Sequence, residues 1–232
     1  MTNTALHNSS LPFSDKARAD ILRECLQLVP FEGWSQKVLV EAVSNVGLPK
    51  GADGLYFPGG PLEVIQFWAD ECDRSVEQAL SELDLTSMKI RDKVTQAVIL
   101  RMEAISEHET AAKRAMSRLL LPDAVGQGPK QLWASADMIW RAIGDTSTDM
   151  NFYSKRTILS GVLGSTLVSW LGDVSIDKAE ARAFLDARIG NVMQFEKAKW
   201  TLKKRAENLP NPAEILGRLR YGTRTSRRRR RY

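Results

Sequence analysis

Apolar side chains recur at three- and four-residue intervals along almost the whole chain. No stretch alternates apolar and polar residues with enough β-branched content for a strand. That one periodicity confines the fold to packed helices, each hiding one stripe from water. The clearest case is residues 61–83, where Leu62, Ile65, Trp68, Cys72, Val76, Ala79, Leu80 and Leu83 share a single face. Pro61 suits the first turn of such a helix, which has no use for its N–H.

The same spacing predicts further helices. Residues 15–29 carry Ile21, Leu22, Cys25, Leu28 and Val29, with Ser14 as the cap and Pro30 as the stop. Residues 36–46 follow a capping Ser35 and end at Gly47, a natural left-handed position. Thr86 is the expected cap of residues 88–105, with Ile90, Val94, Val98, Met102 and Ile105 inward. Residues 109–121 bury Ala112, Ala115, Met116, Leu119 and Leu120, and residues 129–143 bury Leu132, Ala136, Ile139, Trp140 and Ile143. Residues 152–171 are apolar around much of their circumference, which predicts a central, largely buried helix. Gly161, Gly164, Ser165 and Thr166 within it suit a close helix approach or a cavity wall. A last helix is expected over 177–205, and a turn-rich connector over 48–61.

Composition shifts then divide the chain. Residues 1–13 read as a disordered leader, 14–60 as a helix-turn-helix-like unit, 61–208 as a helical domain, and 209–232 as an amphipathic segment with an Arg-rich tail. The leader lacks the basic start and apolar block of a secretory signal, and Asp15 and Asp20 make a poor transit peptide. The net charge of +5 belongs to the tail: eight arginines after residue 217 leave the preceding residues at −3. Cys25 and Cys72 both fall on apolar faces and read as buried hydrophobes rather than a disulfide framework, which favours a reducing cytosol.

Catalysis finds little support. The only histidines are His7 and His108, and no Glu-x-x-His unit of a di-iron bundle is present. Nucleophile elbow, Walker loop and zinc-ligand spacing are absent too. Asp145 and Asp149 could suggest paired carboxylates, but they suit hydrogen bonding to the N–H groups of the next helix better, with Asp149 or Ser147 near its N-cap. The first three helices and the Leu-Tyr-Phe-Pro-Gly-Gly turn resemble the DNA-binding unit of TetR-type repressors. A reader of base edges needs polar and basic side chains on its recognition helix. Here that stretch is LPKGADG, expected to make a poor helix and a poor reader. In the tail, Ile215, Leu216 and Leu219 can form one side of a short helix, followed by basic residues. Membrane contact through Arg218, Arg220, Arg227, Arg228, Arg229, Arg230 and Arg231 stands beside the alternative of a solvated, functionless tail.

Residues 140–156, WRAIGDTSTDMNFYSKR, are too polar for a core and too aromatic for an idle loop. Together with FEGWS at 31–35, FPGG at 57–60, KIRDKVTQAVILR at 89–101 and the rest of 132–173, they resemble the ubiquinone-biosynthesis accessory protein family, the ninth of the Coq series. The family motif runs Gly-Asp-x-Ser-Thr-Asp-Phe-Asn-Trp-Tyr-Thr-basic-Arg. Gly144, Asp145, Ser147, Thr148, Asp149, Asn151, Tyr153 and Arg156 match it, with Lys155 as the basic residue, while Met150 and Phe152 replace the Phe and the Trp.

The resemblance implies an all-α, TetR-like helical bundle with a helix-turn-helix-like unit and a C-terminal lipid-binding helical domain, usually dimeric. It implies a non-catalytic protein without cofactor that binds isoprenoid quinone precursors and phospholipid at the membrane surface. That protein would present the precursor to the di-iron demethoxyubiquinone hydroxylase and bind no specific nucleic acid. Asp149, Phe152 and Tyr153 are then expected to dock the partner. Arg156 is expected to hold a lipid headgroup, and Leu163, Leu167 and Trp170 an isoprenoid tail. The implied location is the bacterial cytoplasm, peripheral on the inner membrane, or the matrix side of the mitochondrial inner membrane in a eukaryote. The competing reading is a TetR-type transcriptional regulator sensing an apolar effector. Family members that define membrane contact end in an amphipathic helix, and residues 200–232 depart from it.

Overall fold

The structure is a computed structural model. It describes the backbone of residues 13–207 and the side chains of residues 15–194. The tail arginines and leader residues 1–12 lie outside the described residues, while Phe13, expected in the leader, opens α1. The helices in chain order are α1 (Phe13–Glu32), α2 (Gln36–Asn45), α3 (Ala52–Tyr56), α4 (Pro61–Ser81), α5 (Ile90–Glu103), α6 (Glu109–Leu119), α7 (Gln127–Ala142), α8 (Met150–Gly172) and α9 (Ala179–Glu207). No strand occurs among the described residues. Residues up to Ile189 form one compact unit; from Gly190 the chain belongs to a second, in which α9 continues to Glu207.

Local signals act where the chain predicts them. The Ser35 hydroxyl accepts from the Val38 N–H at 3.3 Å and starts α2. Gly47 closes it at φ +81°, a conformation that an L side chain would strain. Pro61 occupies the first turn of α4. The carboxylate of Asp149 accepts from the Asn151 N–H at 2.9 Å and caps α8. Asp173 receives the N–H groups of Ser175 (2.7 Å) and Ala181 (2.8 Å), joining the end of α8 to the start of α9.

Four expectations need correction. α1 runs through Pro30 to Glu32, and begins at Phe13, so Ser14 lies inside its first turn. Proline in a last turn forfeits one backbone bond, and here its carbonyl is taken by Arg114 Nη2 at 2.9 Å. The glycine-rich connector contains α3, five residues long. Thr86 bonds to Asp84 instead of capping α5, which starts at Ile90, and Ile90 itself is exposed. Leu120 also points outward, because α6 has ended one residue earlier.

The main core joins α1, α2, α4 and α6. Val29, Val38, Leu39, Ala42, Val64, Ile65 and Ala111 are almost fully buried in it. Trp34 anchors the meeting point: its Nε1–H donates to the Ala111 carbonyl at 3.0 Å, and its ring lies 5.8 Å from that of Trp68. A fully buried aliphatic side chain contributes about 1.5–3 kcal/mol, so this core outweighs every surface ion pair in the molecule. Cys25 and Cys72 are buried here as expected. Burial pushes the Cys25 thiol up to about 12 and raises that of Cys72 too, so both stay neutral and inert.

α7 and α8 pack antiparallel beside this core. Gly164 permits their approach, since a Cβ there would meet Leu132 Cδ1 at 3.1 Å. Gly161 has open space around it. α8 is thus buried on one side, through Leu159, Val162, Leu163, Thr166, Trp170 and Leu171. Thr157, Gly161 and Val168 face out, so the helix expected to be largely buried keeps one exposed side.

Candidate functional site

The turn between α7 and α8 is built on one carboxylate. Gly144 adopts φ +87° and its N–H bonds to the Arg141 carbonyl at 3.0 Å, while the Asp145 N–H reaches the Trp140 carbonyl at 2.9 Å. This brings the Asp145 side chain inside, where only 5% of it is exposed. Ser147 Oγ (2.9 Å) and Lys155 Nζ (2.6 Å) donate to its Oδ1, and Arg156 Nη1 donates to Oδ2 at 3.2 Å. Burial pushes this carboxyl up, but the bonds from Lys155, Ser147 and Arg156 outweigh it and hold it down at about 2.

Arg156 is the hub of the corner, and its side chain is only 2% exposed. Its Nε donates to Asp137 Oδ1 on α7 at 2.6 Å, and its Nη1 also reaches the Phe152 carbonyl at 3.2 Å. Its guanidinium lies 3.5 Å from the centroid of the Phe152 ring. Asp137 is shared with Arg141 at 2.7 Å. Trp140 Nε1–H donates to the Lys155 carbonyl at 3.1 Å, and the Lys155 ammonium sits 5.1 Å over the indole. These contacts clamp the first two turns of α8 to the last two turns of α7.

The expected site residues therefore have unlike surroundings. Asp149 and Tyr153 are exposed, with Tyr153 at 58% and Met150 beside it at 76%. Phe152 is half-buried, its ring edge-on to Tyr153 at 5.2 Å and covered on the other side by Arg156. Trp133 of α7 lies 6.4 Å from the Tyr153 ring and extends the aromatic surface. The expectation of a headgroup contact at Arg156 meets a buried, twice-paired guanidinium; the cation nearer the surface is Lys155, with 36% of its side chain exposed.

A cavity of about 80 Å³ lies between α4, α5, α6, α7 and α8. Trp68, Cys72, Ile105, Met116, Leu119 and Leu167 give it an apolar wall. Of the three residues expected against a lipid tail, only Leu167 lines this cavity; Leu163 and Trp170 are buried in the packing of α8. Gln131 and Arg101 add polar groups, and the Gln131 Nε2 is buried without a hydrogen-bond partner. Behind it, Arg101 Nε donates to Asp73 Oδ1 at 2.6 Å, and Ser135 Oγ donates to the same carboxylate at 2.8 Å. Burial raises the Asp73 carboxyl, against the pull of Arg101 and Ser135. This network was missed from the sequence, although Asp73 interrupts the apolar stripe between Cys72 and Val76. No group of His, Cys, Asp and Glu able to hold a metal ion occurs among the described residues, and no described helix is long and apolar enough to cross a membrane.

The described chain is thus an all-α, TetR-like helical bundle. It is similar to the solved structure of a TetR transcriptional regulator from Nitrosomonas europaea, with a TM-score of 0.61 over 75% of this chain and 95% of that one. At 15% identity that likeness concerns the fold alone. Residues 125–196 match the family model described as COQ9, so this part of the chain, which holds the whole α7–α8 corner, is a COQ9-family domain. The chain is 29% identical over 196 residues to the mitochondrial ubiquinone biosynthesis protein COQ9 of Rattus norvegicus, covering 82% of this chain and 62% of that protein. It is 30% identical over 190 residues to COQ9-A of Xenopus laevis (77% and 58%) and 26% identical over 196 residues to human COQ9 (82% and 61%). It spans about three fifths of the length of these curated relatives.

Proposed function

We propose that this protein is a non-catalytic, lipid-binding accessory protein of ubiquinone biosynthesis. It binds isoprenoid quinone precursors at a membrane and presents them to the di-iron demethoxyubiquinone hydroxylase. The observation that carries the reading is the COQ9-family match over residues 125–196, coupled to an aromatic surface held by a buried ion-pair frame. Met150, Tyr153 and Trp133 supply the apolar anchors of a docking patch, and Asp149 its charge. The apolar cavity supplies the start of a lipid site. At about 80 Å³ it has to open to admit an isoprenoid unit, and flexible Met116 and Leu119 are the side chains able to yield. The headgroup role moves from Arg156 to Lys155 in this reading, and the exposed strip of Thr157, Gly161 and Val168 on α8 serves a second copy of the chain. The location follows the resemblance: peripheral on the inner membrane, on the cytoplasmic side in a bacterium or the matrix side in a eukaryote.

A transcriptional regulator is the competing reading. Its recognition helix would be α3, ADGLY, which has no basic residue, carries Asp53 and exposes Leu55. That is a poor surface for phosphates or base edges. Native mass spectrometry of the gently purified full chain separates the two. Co-purified quinone precursor or phospholipid supports the accessory role; a lipid-free protein that retards one operator sequence overturns it.

A further inference from the structure

We propose that the turn between α6 and α7, residues 120–126, inserts into an anionic lipid surface and holds the mouth of the cavity against it. This rests on the reading of the protein as membrane-associated and names the segment that makes the contact. Exposed leucines standing singly need no explanation, but a cluster does. Within six residues Leu120 is 83% exposed, Leu121 48% and Val125 80%.

The turn is held in shape by its own contacts. Ala124 is fully buried, its N–H bonds to the Leu121 carbonyl at 3.0 Å, and Gly126 takes φ +85° to start α7. The inward Ala124 fixes the backbone while the three large aliphatics project outward.

Charge selects the surface that this tip suits. Residues 113–130 hold four cations, Lys113, Arg114, Arg118 and Lys130, against one acid, Asp123. That acid is neutralised by Arg118 through two bonds of 2.8 and 2.6 Å. Lys113 and Lys130, which flank the aliphatics in the sequence, are both exposed. An apolar tip with a basic collar fits the acyl boundary and headgroups of an anionic bilayer, where each adds its own favourable term. An acidic protein surface would meet the collar but leave the aliphatics unmatched.

The position relative to the cavity gives the contact a use. Met116 and Leu119, in the last turns of α6, line the cavity, and so does Gln131 of α7. The turn linking these helices therefore sits at the edge of that wall. Lipid reaching Leu120 meets the residue next in sequence to Leu119, a cavity-lining side chain.

The test uses the full chain with an environment-sensitive fluorophore at Leu120→Cys or Val125→Cys. The native thiols are 1% and 5% exposed, so labelling goes to the introduced one. Vesicles of phosphatidylcholine with roughly one third phosphatidylglycerol are compared with phosphatidylcholine alone. A blue shift on the anionic vesicles is expected, with none for a label at Glu77→Cys. The unlabelled double variant Leu120→Ser, Val125→Ser should lose about tenfold or more in vesicle partitioning with an unchanged melting curve. If the protein sediments with vesicles while the Leu120→Cys label stays water-like, this inference fails and membrane association through another segment stands. If the full chain sediments with neither vesicle, both fail. A blue shift that appears without vesicles and grows with protein concentration assigns the turn to a second copy and overturns the proposal.

Discussion

Arg156→Met is the sharpest perturbation of the α7–α8 corner. It removes an ion pair to Asp137 at 2.6 Å, another to Asp145 at 3.2 Å, and the bond to the Phe152 carbonyl, all at a side chain 2% exposed. Removing one partner of a buried pair costs roughly 3–5 kcal/mol when the other charge is left alone. Here neither acid is abandoned: Lys155 stays on Asp145 at 2.6 Å, and Arg141 on Asp137 at 2.7 Å. The expected loss is therefore about 2–3 kcal/mol. For a unit of this size that lowers Tm by roughly 5 to 10 °C. Denaturant unfolding at two salt concentrations measures it, because a buried pair is little screened. Combining Arg156→Met with Asp145→Asn should cost about 1–2 kcal/mol less than the two single losses together. A variant within about 0.5 kcal/mol of the parent that loses bound phospholipid would refute the structural role and restore Arg156 to a lipid contact.

Acid should loosen the same corner. Asp145 is held down at about 2, below its unfolded value, so its contribution is complete above about pH 4 and fades as pH falls from there through about 2. Acid unfolding followed by circular dichroism should lose that step in Asp145→Asn. Tyr153→Ala, at a 58% exposed side chain, should weaken hydroxylase association in a pull-down about tenfold, with melting and co-purified lipid unchanged. Gly164→Val crowds Leu132 and should cost about 1–3 kcal/mol in denaturant unfolding. Neither native cysteine should react with a thiol reagent at pH 8 until the protein unfolds, since burial raises both thiols.

Features legible in the sequence are those set by neighbours along the chain. Ser35, Pro61 and Asp149 mark helix starts because a cap acts within three residues. The stripe from Ile65 to Leu80 locates the core face of α4 because burial follows a fixed period. Thr86 is a local miss, drawn to Asp84 two residues back, but the misses that shape the corner and the core depend on distant partners. α1 runs two residues past Pro30, and the Pro30 carbonyl is taken by Arg114, 84 positions away. Arg156 reads as a surface cation until α7 folds Asp137 against it, 19 positions upstream. Asp73 looks like a flaw in a stripe until Arg101 and Ser135 arrive from two other helices. Local spacing finds the corner at 140–156 but says nothing about which of its cations points inward.

The shared carboxylate of Asp145 also bears on how fast a partner could be captured. It ties the turn, Lys155 and Arg156 into one frame, and Phe152 is pinned between Arg156 and Tyr153. The frame and Phe152 beneath the patch are already fixed, so docking has only exposed side chains such as Met150 and Tyr153 left to order. Encounters need no folding step, so association should run near the ordinary orientational limit, about 10⁵–10⁷ M⁻¹s⁻¹. Differences among Tyr153, Met150 and Trp133 variants should then appear in residence time rather than in capture rate, which makes dissociation kinetics the observable for comparing them.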